Sequence, residues 1–314
     1  MSDYAPEDLI ECHRKIAPFV HRTPVMRSRL LDGMTGAELY FKCENFQRAG
    51  SYKIRGATHA LLRKKERGDL KGIVTHSSGN FAQALSLAAK NLGVPAYIVM
   101  PESAPEVKKR GVREYGGQIF ECASTLEARE AEAIRIQEET GAEFIHPSND
   151  PWVMMGQGTA CKELLEDVSD LEMIVAPVGG GGLLGGTSLS ANFFGNNCTP
   201  VGAEPLSVDD AYRSLQAGRI LGNTTTDTIA DGLKTVLGSY TFPVLQAYVK
   251  TIIRVSEEEI VQAMRLVWER MKIVIEPSSA VALAAIFRDR ERFAGRKTGI
   301  VISGGNVDLE KLPF

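Results

Sequence analysis

The sequence contains no Cys-x-x-Cys pair. Its five cysteines, Cys12, Cys43, Cys122, Cys161 and Cys198, are scattered and odd in number. That excludes both zinc-site spacing and the framework of a disulfide-stapled domain. No apolar run approaches the roughly 20 residues a membrane helix needs. The opening residues, Met1-Ser2-Asp3-Tyr4-Ala5-Pro6-Glu7-Asp8, are acidic and lack the apolar core of a signal peptide. Strong charge of either sign is missing too. The formal net charge is -3, which argues against an electrostatic nucleic-acid binder. No G-x-x-x-x-G-K-[ST] segment is present, which argues against a P-loop nucleotidase. These absences lead to the expectation of a reduced, cytoplasmic protein with neither nucleic acid nor membrane as partner.

What is present is an ordinary globular composition, 44% hydrophobic and 24% charged over 314 residues. That length suits two domains and buries enough surface to need no staples. Short apolar runs end in turn residues and alternate with helical patterns. Ile73-Val74-Thr75-His76, Ala96 to Met100, Gln118 to Glu121, Ile174 to Val178, Pro200 to Glu204 and Gly299 to Ser303 read as strands. Phe81 to Ala89, Val107 to Tyr115 and Ser124 to Thr140 read as helices. Ser256-Glu257-Glu258-Glu259 fits a capping box that starts a helix running through Met271. Strand and helix in alternation predict parallel β-α-β units.

In such folds ligands bind beyond the carboxyl ends of the strands. Three loops of small residues fall there: Ser77-Ser78-Gly79-Asn80, Gly179-Gly180-Gly181-Gly182 and Ser303-Gly304-Gly305-Asn306. Gly179 to Gly182 follow a strand and open a helix, an anion site built from backbone amides. Two readings of that loop stand side by side. In one it grips the phosphate of an aldehyde cofactor, and Lys53, in Gly50-Ser51-Tyr52-Lys53-Ile54-Arg55-Gly56-Ala57, takes the aldehyde as a Schiff base. In the other, Gly180, Gly182 and Gly185 form a G-x-G-x-x-G dinucleotide fingerprint. Glu204 then follows about 20 residues later as the ribose-binding acid, and Lys53 is a solvated turn residue.

Ser51-Tyr52-Lys53-Ile54-Arg55-Gly56-Ala57, Ser77-Ser78-Gly79-Asn80, the tetraglycine loop, Ile275-Glu276-Pro277 and Ser303-Gly304-Gly305-Asn306 together resemble the fold-type II pyridoxal-phosphate enzymes. Among these the chain looks most like the serine racemase and serine/threonine dehydratase branch. The likeness extends from Arg22-Thr23-Pro24-Val25 to Gly305-Asn306-Val307-Asp308-Leu309. It implies a tryptophan-synthase-β-like α/β fold, with two three-layer α/β/α domains, mainly parallel sheets and the active site in the cleft between them. The implied boundaries are a large cofactor-binding domain at 1–48 and 150–314 and a small domain at 49–149. The implied activity is loss of water from a 3-hydroxy L-amino acid, giving a 2-keto acid and ammonia. A homodimer is implied as well. An amino-acid racemase on the same scaffold stays open, as does a non-catalytic amino-acid or nucleotide sensor.

The resemblance also implies roles residue by residue. Lys53 holds the cofactor and, once displaced by substrate, acts as base on Cα. Asn80 bonds the ring hydroxyl, Ser303 faces the pyridine nitrogen, Glu276 belongs to the cofactor site, and Gly179, Gly180, Gly181 and Gly182 hold the phosphate. Ser77, Ser78, Gly79 and Asn80 bind the substrate carboxylate, with Thr235 also on the substrate side. Ser78 matches the hydroxyl that, in racemases, stands on the ring face opposite the lysine. Arg129 matches an arginine that contacts dicarboxylate ligands. Glu204, the Val208 carbonyl and Asp210 match a cation site, whose oxygen ligands suit Mg²⁺ or Ca²⁺, or Mn²⁺.

Departures from the family pattern are Phe81 where histidine is common, Tyr52 where phenylalanine is common, and Ala49 where threonine is usual. Phe81 adjoins the carboxylate loop, so an aromatic wall and a preference for 3-phenylserine are expected, with threonine as the conservative substrate. The chain ends soon after Ser303-Gly304-Gly305-Asn306, so no regulatory domain and no isoleucine feedback are expected.

Overall fold

In a computed structural model the described residues are 4–314. Along the chain run α1 (Pro6–Ile16), β1 (Val25–Met26), α2 (Arg29–Thr35), β2 (Glu38–Cys43), α3 (Lys53–Lys65), β3 (Ile73–His76), α4 (Asn80–Leu92), β4 (Ala96–Pro101), α5 (Glu106–Glu114), β5 (Gln118–Cys122), α6 (Leu126–Thr140) and β6 (Glu143–Phe144). Then follow α7 (Pro151–Asp167), β7 (Met173–Pro177), α8 (Gly182–Phe194), β8 (Thr199–Pro205), α9 (Asp210–Ala217), α10 (Thr241–Tyr248), β9 (Ile252–Val255), α11 (Glu257–Met271), α12 (Pro277–Arg288), α13 (Arg290–Phe293) and β10 (Lys297–Ile302). Every strand and helix expected from the pattern is found within a few residues of its expected place. The capping box forms: the Ser256 hydroxyl accepts from Glu259 N at 3.3 Å, and Glu259 Oε2 accepts from Ser256 N at 2.7 Å.

The strands build two sheets. The first has the order β1-β2-β10-β7-β8-β9 and is parallel except for its edge strand β1. The second has the order β5-β4-β3-β6 and is all parallel. Each is covered on both faces. In the first, Val175 and Ile300 face a core shared with α11 and α12, while Ile174, Ala176 and Val301 face one shared with α7, α8 and α10. In the second, Ile73 and Ile98 pack against α3 and α4, and Val74 and Val99 against α6. Strands buried on both faces must be apolar throughout, which is why they were readable.

Helices α3, α7 and α8 stack with almost no spacing. A Cβ placed on Gly156 would lie 2.6 Å from Gly56 Cα, and one on Gly186 would lie 2.4 Å from Gly158 N. Glycine at these crossings lets the helix backbones touch. The first turn of α3 carries Lys53, and the first turn of α8 carries the end of the glycine loop.

Candidate active site

Lys53 opens α3 and is only partly accessible. Its amine donates to the Pro147 carbonyl at 3.1 Å. Desolvation lowers its pKa to about 8, although the Glu276 carboxylate pulls the other way. A neutral amine is the nucleophile toward an aldehyde. The apoenzyme is therefore expected to take up an aldehyde cofactor faster as pH rises from 7 to 9. The apparent midpoint should lie near 8 rather than at the 10.5 of a free lysine, which stopped-flow absorbance would read.

The glycine loop lies where α8 begins. Gly181 has φ +83° and caps the helix, and the first amides of α8 have no acceptor inside the helix. A Cβ on Gly180 would fall 2.2 Å from Ser148 Oγ, and one on Gly181 would fall 2.7 Å from Thr241 Oγ1. At Gly182 the nearest atom would be 3.4 Å away, an ordinary contact. Thus Gly180→Ala and Gly181→Ala are expected to weaken cofactor binding by tenfold or more, and Gly182→Ala by much less. Equilibrium titration of the apoenzyme with pyridoxal phosphate reads this. The Thr235 methyl group also meets the Gly180 position.

On the opposite side, Gly79 caps α4 and Asn80 is its first residue. The Asn80 carboxamide donates to both Glu276 oxygens, at 2.8 and 3.0 Å, and its Oδ1 accepts from Asn306 Nδ2 at 3.0 Å. A carboxamide has two N–H groups and two lone pairs, so capacity remains for a ring hydroxyl. Burial raises the Glu276 pKa, Asp231 adds to that, and the Asn80 bond opposes both. Ser303 is buried, with its Oγ 2.9 Å from Ser279 Oγ. Ser279 donates to Gly304 O at 2.7 Å and accepts from Gly304 N at 2.8 Å. Its proton is committed, so the Ser303 proton is free to turn toward a ring nitrogen. Sequence reading passed over Ser279; nothing but its place one turn into α12 marks it.

Phe81 is only 2% exposed and packs in the core beneath α4, with its ring centroid 5.8 Å from Lys53 Nζ. Arg129 lies near the start of α6. Its Nε donates to Thr125 O at 3.2 Å, and it has no acidic partner among the described residues. Ser77 and Ser78 are half-buried at the end of β3.

Glu204 is fully buried at the end of β8, and its two oxygens accept from Ala211 N and Tyr212 N at 2.9 and 3.0 Å. This counts against the dinucleotide reading, which requires that carboxylate on a ribose. Desolvation raises the Glu204 pKa, and the Asp210 charge raises it further. Asp210 is pushed up to about 6, chiefly by burial. It holds Leu237 N at 3.1 Å and Asn223 Nδ2 at 2.6 Å. Two buried carboxylates that repel each other fit an uncompensated cation site. Among the described residues no cluster of three or more His, Cys, Asp or Glu side chains is arranged for a metal, so a cation here would need main-chain oxygen such as the Val208 carbonyl.

One buried cluster had no sequence signal. Arg55, two residues past Lys53, donates to Glu44 at 2.7 and 2.8 Å and to Glu163 at 2.8 Å through each terminal nitrogen. Lys42 Nζ lies 2.7 Å from Glu163 Oε2. All four side chains are essentially inaccessible to solvent.

A desolvated lysine amine facing a helix-capped anion cradle, with an amide-and-carboxylate clamp between, defines an enzyme site for an aldehyde cofactor with a phosphate tail. The chain matches the family described as pyridoxal-phosphate dependent enzyme over residues 16–304, and it belongs to that family. It is 47% identical over 308 residues to beta-hydroxyaspartate dehydratase of Paracoccus denitrificans (strain Pd 1222), covering 98% of each chain. Serine racemase of Dictyostelium discoideum is 48% identical over 318 residues, with 99% of this chain and 98% of the relative covered. A crystal structure of serine racemase from Dictyostelium discoideum superposes with a TM-score of 0.92 at 48% identity, over 96% of this chain and 98% of the other. The architecture is that of the fold-type II pyridoxal-phosphate enzymes. Among the described residues no helix is long and apolar enough to cross a membrane.

Proposed function

We propose that this protein eliminates water from a 3-hydroxy L-amino acid to give a 2-keto acid and ammonia, and that a dicarboxylic substrate such as threo-3-hydroxyaspartate is preferred. The observation that carries the reading is the enclosed Lys53 amine, lying between the Ser77–Asn80 loop and the glycine cradle. The name and high identity of the Paracoccus relative support it. The bound cofactor supplies the electron sink that lets the Cα–H bond break. Lys53 accepts the Cα proton, a role for which an amine of pKa near neutrality is suited. The amides and hydroxyls of Ser77, Ser78 and Gly79 at the start of α4 hold the substrate carboxylate. Ser303 offers a neutral hydroxyl toward the ring nitrogen and so limits carbanion lifetime, which favours prompt loss of the β-hydroxyl. A divalent cation, Mg²⁺ or Ca²⁺, on Glu204, Asp210 and the Val208 carbonyl would relieve their repulsion. It would also order Leu237, whose side chain touches Gly181.

Two further readings each have an observation behind them. The Ser78 hydroxyl makes no hydrogen bond among the described residues, so it is available to return a proton to Cα from the other face; chiral analysis of recovered substrate detects that racemisation. The Phe81 ring beside Lys53 favours an aryl substituent such as that of 3-phenylserine, although its burial leaves little face to offer. Keto-acid release from threo-3-hydroxyaspartate, serine, threonine and threo-3-phenylserine decides among them. The expected order has hydroxyaspartate first by tenfold or more in kcat/KM. Phenylserine above hydroxyaspartate would overturn the dicarboxylate preference.

A further inference from the structure

Between the lysine and the glycine cradle the chain passes through His146, Pro147 and Ser148, and the first of these has no role so far. His146 Nδ1 accepts from Ser148 N at 3.1 Å and from Asn149 N at 2.8 Å. An imidazole nitrogen that accepts two N–H bonds carries no proton, so the proton sits on Nε2. That Nε2–H has no acceptor among the described residues. Desolvation, then His76 and Lys53, lower the His146 pKa to about 4, so the ring is neutral at working pH.

The ring stands in a row. His146 meets His76 edge-on with centroids 5.8 Å apart, and His76 lies 5.2 Å from Phe144. His76 is the last residue of β3 and leads directly into the Ser77–Asn80 loop. Arg129, with no acidic partner among the described residues, is near enough to His76 for its charge to help lower that pKa, after desolvation. The wall beside Lys53 therefore offers one fixed N–H donor and one unpaired guanidinium. A substrate whose Cα lies at Lys53 and whose α-carboxylate lies on the Ser77–Asn80 loop has only its β-substituent left to direct at this wall.

We propose that His146, locked as its Nε2–H tautomer by the Ser148 and Asn149 amides, is the specificity-determining donor to a second carboxylate on the substrate, with Arg129 supplying the countercharge. This deepens the dehydratase reading and rests on it for the reaction, but not for the binding. A neutral donor in a tautomer fixed by the backbone binds an anion without having to lose a proton first.

Two variants separate the two ring nitrogens. His146→Asn can keep an acceptor for the two loop amides while removing the distal donor, and His146→Gln places an N–H near the Nε2 position. For the holoenzyme, His146→Asn is expected to raise KM for threo-3-hydroxyaspartate 10- to 100-fold, as loss of a hydrogen bond to a charged group does. KM for serine should stay within twofold, and His146→Gln should recover part of the loss. Inhibition of serine turnover by succinate should weaken by the same factor in His146→Asn. Equal shifts for serine and hydroxyaspartate, or no shift for either, would overturn the proposal. If the wild type fails to turn over hydroxyaspartate yet the succinate shift appears, the substrate reading falls and the role of His146 stands. If the wild type turns it over and both shifts are absent, the reverse holds.

Discussion

Replacing Lys53 with alanine is expected to lower kcat on every substrate by about 10⁴-fold and to remove the visible absorbance of the holoenzyme. The covalent anchor and the base on Cα are one atom, so a single truncation removes both. Pyridoxal phosphate should still bind, more weakly, because the glycine cradle and the Asn80–Glu276 clamp are untouched. Stability should move the other way. A lysine whose pKa falls from 10.5 to about 8 binds fewer protons folded than unfolded between those values. Folding is therefore penalised at and below pH 8, by roughly 1–3 kcal/mol. The apo variant is thus expected to unfold at the same temperature as the wild-type apoenzyme or higher at pH 7, with the gap closing toward pH 10. Turnover retained within tenfold would show that another group is the base.

Replacing Arg55 with methionine is expected to cost about 3–5 kcal/mol of folding stability, read by urea unfolding of the apoenzyme. The variant leaves Glu44 and Glu163 buried against Lys42 alone, and a buried charge without its partner loses the Coulombic return on its desolvation. Burial by itself would raise the Glu163 pKa, but His13, Arg55 and Lys42 together hold it well below the usual carboxylate range. A depressed carboxylate pKa stabilises the fold above the unfolded value near 4.5 and loses that contribution as pH falls below it. The acid limb of the wild-type stability curve should therefore flatten in the variant. If Arg55→Met costs less than 1 kcal/mol, the cluster is not the anchor of α3 that its geometry indicates.

The parts of the fold that could be read from the sequence are those where a single local rule decides. β3, β4, β7, β8 and β10 are apolar because both faces are covered, and Ser256 with Glu259 writes the start of α11. β2 escaped because Lys42 interrupts its pattern, and that charge is tolerated only by Glu163, more than a hundred residues away. β9 carries Arg254, whose guanidinium stacks 4.0 Å above Tyr212 and pairs with Asp209. β1 and β6 are two residues each, too short for any period to show. The three small-residue loops were legible because close backbone approach demands glycine and serine. What they join was not: the hold of Glu276 on Asn80, of Ser279 on Ser303, and of the loop amides on His146 are pairings that only tertiary structure makes.

The contact of α3 and α8 with α7 through bare glycine backbone has a consequence for motion. The nitrogen that bonds the cofactor and the amides that grip its phosphate start from helices fused into one block, so the span between them is set as by a rigid caliper. Opening of the cleft can then shift the β3–α4 loop, and with it the substrate, without stretching the cofactor. The enzyme can breathe around its prosthetic group while holding that group still.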